Sequence, residues 1–266
     1  MLLQEELILK IKEKGSNSPN VNAILMYGSF TQGCGDAYSD IEFYVFIEDK
    51  DYDNFDSNKW VSNVYPVATY LVNEYGTDVF IFDNLIRGEF HFLPTKDMSI
   101  VEAFAPVGFF PDIDAMCLYD KSNKLIKYLS TLKDSKINRH SVQNIEFVIN
   151  NFLNAILYGI NVLKRGEISR SLECIGTVQR FYLQLVRLDE NKINHWVNPT
   201  KGLESEISSD YYKHYKKCTS NLDEKNLLSA YQELLSGSEA IVRILASRYN
   251  FNCNYELFKK LNDYIN

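Results

Sequence analysis

The stretch Met26–Phe46, MYGSFTQGCGDAYSDIEFYVF, constrains this chain more than any other. The run that leads into it, VNAILMYGSF, is apolar enough to form a strand buried on both faces. A Gly28-Ser29 turn and a polar connector follow, and a second strand is predicted over Ser39–Ile47. In that strand Ile41, Phe43 and Val45 alternate with Asp40, Glu42 and Tyr44. One side is therefore apolar and the other presents two carboxylates together. A helix is predicted to open after Gly28-Ser29, so that backbone N–H groups and the helix dipole face a phosphate. A Gly-Ser pair alone marks an ordinary turn, and wet strand faces often carry acids. The combination GSxxxGxxxxxSDxE is more specific, because it sets a phosphate cradle one hairpin away from two hard oxygen ligands suited to Mg²⁺.

Further acids follow in the next apolar segment. The segment GTDVFIFDNLIRGEFHF has two apolar runs, Val79–Phe82 and Leu85–Phe92, with Asp83-Asn84 as the turn between them. Arg87, Glu89 and His91 fall on one face of the second run, and Ile86, Gly88, Phe90 and Phe92 on the other. Pattern alone leaves Glu89, Asp78 and Asp83 as rival third acids, with Asp83 better suited to the turn. Arg87 reads as a structural partner for an acid, and His91 either lines a pocket or is a satisfied structural histidine.

Elsewhere Leu3, Leu7, Ile8 and Ile11 mark an opening amphipathic helix. Glu48–Asn58 reads as a solvated excursion and Trp60–Glu74 as a short helix. Thr95–Asp120 reads as mixed, with Pro94, Pro106 and Pro111 preventing one long element. From about Ser135 the period becomes helical. Stripes run through Phe152, Ile156, Gly159 and Leu163; Leu172, Ile175, Gln179, Tyr182 and Val186; Leu228, Tyr231, Leu235, Val242 and Leu245; and Leu257, Leu261 and Tyr264. The expected fold class is α+β: a mixed sheet with flanking helices over residues 1–135, then a helical bundle over residues 136–266. Lys164, Arg165 and Arg170 sit at a helix break, where cations either reach a triphosphate or cap the preceding helix. Tyr44, Phe90, Phe92, Tyr158 and Tyr182 supply rings for either a cleft wall or a core.

Charge divides unevenly. Residues 1–135 carry 11 Lys/Arg against 21 Asp/Glu, and residues 136–266 carry 17 against 14. The first half attracts cations and the second can meet an anionic ligand. With no long basic run, nucleic acid is not an expected partner. The five cysteines are scattered without a CxxC pair, which argues against a zinc site or a disulfide framework and for a cytoplasmic setting. MLLQEELILKIKEK carries acids within its apolar pattern, unlike a signal peptide, and no continuous run nears the ~20 apolar residues of a membrane helix.

GSFTQGCGDAYSDIEF resembles the signature of the nucleotidyltransferase superfamily that includes DNA polymerase β and kanamycin nucleotidyltransferase. MYGSF, YSDIEFY, NEYGT, IFDNLIRGEFHF and GINVLKRGE narrow the resemblance to the lincosamide nucleotidyltransferases of the LinB type, over nearly the whole chain. The resemblance implies transfer of AMP from Mg²⁺-bound ATP to a hydroxyl of lincomycin or clindamycin, with loss of pyrophosphate, by an enzyme that forms homodimers. Carried over by position, it makes Asp40 and Glu42 metal-binding and catalytic carboxylates, Glu89 the general base, and Gly28 and Ser29 the phosphate-contacting turn. The chemistry is consistent with that, since attack on an α-phosphate needs a polarised phosphorus, a neutralised leaving group and a deprotonated hydroxyl. Two rival readings remain: a superfamily enzyme acting on aminoglycosides, and a catalytically silent binding module of the same fold.

Overall fold

A computed structural model describes residues 1–106, 108–134 and 137–266. The chain divides into two compact units, Met1–Ile137 and Asn138–Asn266. The boundary expected between residues 135 and 136 lies outside the described residues.

The first unit runs α1 (Leu3–Ser16), β1 (Val21–Tyr27), β2 (Ile41–Ile47), α2 (Ser57–Ser62), β3 (Val67–Val72), β4 (Asp78–Phe82), β5 (Arg87–Pro94), β6 (Cys117–Asp120) and α3 (Leu125–Asp134). Its strands form one mixed sheet in the order β3-β4-β5-β2-β1-β6. β1 pairs antiparallel with both β2 and β6, and β4 pairs antiparallel with β3 and β5. The central pair β2–β5 is parallel, with Glu42 directly opposite Glu89 and Tyr44 opposite His91.

The period-2 alternation predicted for β2 and β5 divides the sheet cleanly. On one face Met26, Ile41, Phe43, Val45 and Phe90 pack with Leu7, Ile8 and Ile11 of α1 and with Trp60 and Val61 of α2. Ala23, Leu25 and Phe46 on the other face pack with Met98, Val101, Leu125 and Leu129. That second cover ends against Tyr27, Tyr44 and Leu93. The same face continues past it toward the N-terminal ends of β2 and β5, where Glu42 and Glu89 emerge.

Several expectations are corrected. Trp60–Glu74 is not a helix: α2 stops at Ser62 and β3 follows. Pro66 bars the helical conformation for Tyr65 and lacks an N–H, and Val67, Thr69 and Val72 favour an extended chain. The β3–β4 hairpin closes on Asn73, whose side-chain oxygen accepts from the N–H groups of Tyr75 and Thr77, with Gly76 at φ +78°. β6 lies in the segment read as mixed, where no strand is singled out because four residues are too few to show a period. No helix opens after Gly28-Ser29, and Leu3 is exposed rather than on the buried face of α1.

The second unit is helical: α4 (Val142–Lys164), α5 (Ile168–Asp189), α6 (Leu203–Glu206), α7 (Ser209–Lys217), α8 (Glu224–Tyr249) and α9 (Tyr255–Ile265). Phe152, Ile156, Tyr182, Val186, Tyr231, Leu235, Val242 and Phe258 form its core. In α9 the buried stripe is Phe258, Leu261 and Ile265, and Tyr264 is exposed. α4 is long and apolar enough to cross a membrane by length and composition, but half of its apolar window is buried within the unit, as in a core helix. A fully buried Arg187 fastens the chain after α5: its guanidinium donates to the carbonyls of Lys192, Pro199 and Lys201 and pairs with Glu206 at 2.7 Å.

Gly159 in α4 faces the buried ring of Tyr231, whose hydroxyl donates to the Ser171 carbonyl at 2.9 Å. A Cβ at residue 159 would stand 2.3 Å from that hydroxyl oxygen. Gly→Ala in a helix ordinarily gains about 0.5–1 kcal/mol, but overpacking costs about 1–3 kcal/mol. Gly159→Ala is therefore expected to lower stability in urea denaturation, whereas a gain would show that the Tyr231 ring yields at no cost.

Candidate active site

The functional end of the sheet is assembled from three adjacent strands. β1 ends at Tyr27, which is paired with Glu42 of β2, and Glu42 is paired with Glu89 of β5. Because Asp40 and Arg87 precede those positions by two residues, they extend the same face. Arg87 Nη1 donates to Asp40 Oδ2 at 2.9 Å, and Arg87 Nη2 donates to Glu89 Oε1. A single guanidinium thus spans two of the three carboxylates.

Gly28 takes φ +82°, a left-handed conformation that any side chain would strain. Glu42 fills the space a side chain would need: a Cβ at residue 28 would lie 1.7 Å from Glu42 Oε2. The turn and the strand acid are therefore packed against one another. The segment after Gly28 closes as successive tight turns, in which Thr31 N–H donates to the Gly28 carbonyl and the N–H groups of Gln32 and Cys34 donate to the Ser29 carbonyl. Gly33 at φ +72° breaks any helical continuation. The helix dipole expected here is absent, and any phosphate contact must come from the turn itself. In that turn the Ser29 hydroxyl oxygen is buried and has no hydrogen-bond partner among the described residues. Buried polar atoms ordinarily find a partner in the protein, in ordered water or in a ligand.

The connector that delivers Asp40 is held from two sides. Asp36 accepts hydrogen bonds from Tyr38 N–H and the Ser39 hydroxyl, which hold its carboxyl below the usual range. From α1, the buried Gln4 donates to the carbonyls of Ala37 at 2.9 Å and Ser39 at 3.2 Å. Gln4 escaped the sequence reading because it sits on the apolar side of an amphipathic helix and belongs to no motif. Its polarity on that face was the one available signal.

Beyond Glu89, His91 stacks on Tyr44 with ring centroids 4.3 Å apart, and its Nε2 lies 3.1 Å from the Tyr27 hydroxyl. Burial lowers the His91 pKa, and the Glu89 carboxylate opposes that shift. Burial, reinforced by the charge of Glu42, raises Tyr27 well above the usual phenol range. Tyr27 thus stays protonated and His91 neutral near pH 7, which suits a hydrogen bond donated by the phenol.

Of the rival acids, Asp78 accepts a 2.5 Å hydrogen bond from Tyr70, and Asp83 lies in the β4–β5 turn. Neither is paired with Asp40 or Glu42. Phe90 and Tyr182 are fully buried core rings. In the helical unit Lys164 lies over the Tyr264 ring, Arg165 is the C-cap of α4, and Arg170 pairs with Glu167 and donates to the Tyr158 hydroxyl. Among the described residues no three His, Cys, Asp or Glu side chains are grouped closely enough to enclose a metal ion. Mg²⁺ commonly binds through one or two carboxylates plus substrate phosphates, so the chemistry of Asp40 and Glu42, with Glu42 packed against the Gly28 turn, fits such an ion arriving with a nucleotide.

The family model described as "Lincosamide nucleotidyltransferase-like, C-terminal domain" matches residues 141–264. Of the sequence motifs that carry the resemblance, GINVLKRGE lies within the matched residues, and the match bears the resemblance out there. No curated protein matches the chain at a significant level. Among solved structures, an aminoglycoside 6-adenyltransferase from Bacillus subtilis is similar at 11% identity, covering 98% of this chain and 95% of that one with a TM-score of 0.45. A nucleotidyltransferase-like protein from Exiguobacterium sibiricum is similar at 13% identity, covering 94% and 78% with a TM-score of 0.40. No residue role follows from likenesses this distant.

Two outcomes follow from the geometry. Gly28→Ala should cost about 1–2 kcal/mol through its left-handed backbone and should displace the Glu42 carboxylate. Nucleotide binding, followed by titration calorimetry, should fall far more than that stability loss explains; unchanged binding would separate the turn from the site. For His91, the folded pKa lies below the unfolded value of about 6.5, so its contribution to stability is present above that pH and is lost as the pH falls through the folded pKa. NMR titration of the imidazole should place it below its ordinary value. Glu89→Gln, which removes a charge that favours protonation, should lower it further; a rise would contradict this electrostatic arrangement.

Proposed function

We propose that this nucleotidyltransferase, whose residues 141–264 match the lincosamide nucleotidyltransferase-like C-terminal domain model, transfers AMP from ATP to a hydroxyl of a lincosamide antibiotic such as lincomycin or clindamycin. The observation that carries the reading is the parallel pairing of β2 with β5, which sets Glu89 beside Glu42 next to the Gly28-Ser29 turn. Support for the acceptor comes from the family of the helical unit.

Asp40 and Glu42 would hold Mg²⁺, which when bound withdraws charge from the α-phosphate and offsets the charge of the departing pyrophosphate. The chain's own groups do the rest. The Ser29 hydroxyl gains a partner by donating to a phosphate oxygen. Glu89 accepts the proton of the acceptor hydroxyl as its oxygen bonds to the α-phosphorus and the bond from that phosphorus to pyrophosphate breaks. Its side chain is one-fifth exposed, enough for an incoming hydroxyl to reach it. The Tyr27–His91–Tyr44 cluster walls the same face and keeps the strand ends rigid without adding charge.

Asp40→Asn should abolish pyrophosphate release with Mg²⁺-ATP and clindamycin while leaving the thermal transition intact. Glu89→Gln should reduce turnover by roughly 10²–10⁴, the range of general-base catalysis, yet still bind nucleotide in titration calorimetry. Full turnover in Asp40→Asn would remove the metal assignment, and full turnover in Glu89→Gln would remove the base.

A further inference from the structure

We propose that Arg87 is a built-in substitute for the divalent cation: in the nucleotide-free protein its guanidinium bridges Asp40 and Glu89, and it gives up Asp40 when the metal arrives. This rests on the reading of Asp40 as a metal ligand. Glu42 and Glu89 stand directly opposite on neighbouring strands, with Asp40 extending the same face. Like charges so placed repel and destabilise the pairing. Arg87 lies two residues before Glu89 and sends separate nitrogens to Glu89 Oε1 and to Asp40 Oδ2. The planar guanidinium fork suits two carboxylates at once, where an ammonium would act as a single point charge.

The two contacts differ in how firmly they are held. The Arg87 and Asp40 side chains are 42% and 38% exposed, whereas Glu89 is 20% exposed. An ion pair as exposed as Arg87–Asp40 is worth little and exchanges readily. Asp40 is thus the partner Arg87 can release, while the more buried Glu89 stays paired. Before the metal binds, the guanidinium offsets part of the charge of Asp40 and Glu89; afterwards the divalent cation takes over that part at Asp40.

The test is binding of Mn²⁺ alone, read by the electron paramagnetic resonance of free Mn²⁺, with thermal unfolding in parallel. Arg87→Met removes the competitor, so it should bind Mn²⁺ roughly fivefold tighter than wild type. It should melt at a lower temperature without Mn²⁺ and recover most of that difference at saturation. Arg87→Lys, which keeps the charge but loses the fork, should show a smaller gain in affinity and serves if the methionine variant does not fold. Equal or weaker Mn²⁺ binding in these variants would overturn the proposal while leaving Asp40 as a ligand. Mn²⁺ binding that survives in Asp40→Asn would overturn the metal assignment itself, and this proposal with it.

Discussion

Holding several like charges together at one end of a sheet is the constraint on which the rest of this structure depends. Glu42 stands directly opposite Glu89 with Asp40 on the same face, and like charges so placed are electrostatically unfavourable. The backbone solves the geometric part. Parallel pairing of β2 with β5 fixes Glu42 opposite Glu89, and the alternation of both strands keeps their apolar halves buried under α1 and α2. A one-residue slip of register would send every acid into the core, so the hydrophobic face enforces the alignment of the polar one. Arg87 solves the electrostatic part from within the same strand.

The surroundings fix these groups without competing with them. Gly28 is required twice over, by its left-handed backbone and by the Glu42 carboxylate that occupies its side-chain space. Gln4 reaches from α1 to the two carbonyls just ahead of Asp40, so the helix that covers the sheet also sets the approach of a site residue. Tyr27 and His91 remain uncharged because burial outweighs the pull of the neighbouring acids on the histidine and adds to their effect on the phenol. The cluster therefore stiffens the site while leaving its charge to the carboxylates and Arg87.

Much of this was legible in the sequence where a local rule governs. The alternation in IEFYVF and RGEFHF predicts which residues share a face, and the face observed carries Glu42, Tyr44, Glu89 and His91 as that alternation requires. Helical stripes through Phe152, Tyr182 and Tyr231 likewise found the core of the second unit. Non-local relations were not legible. Periodicity does not say that β2 and β5, separated by a hairpin, become parallel neighbours, nor that Cys117–Asp120 returns to the edge of β1. The helix predicted after Ser29 failed because glycine conformations and tight-turn hydrogen bonds outweighed the usual strand-to-helix succession. The helical period places Tyr264 on a stripe with Leu257 and Leu261, but the α9 face shifts by one residue to Ile265 and leaves the phenol exposed.

The central claim is that the carboxylate end of this sheet serves transfer of a nucleotide to a lincosamide. It is tested most directly by mass spectrometry of clindamycin after incubation with the full chain, ATP and Mg²⁺, with an aminoglycoside treated in parallel. Clindamycin should gain the mass of one AMP group, with pyrophosphate formed in equal amount and the aminoglycoside unchanged. A gain on the aminoglycoside alone would contradict the acceptor, and unmodified drugs with intact ATP would contradict the transfer.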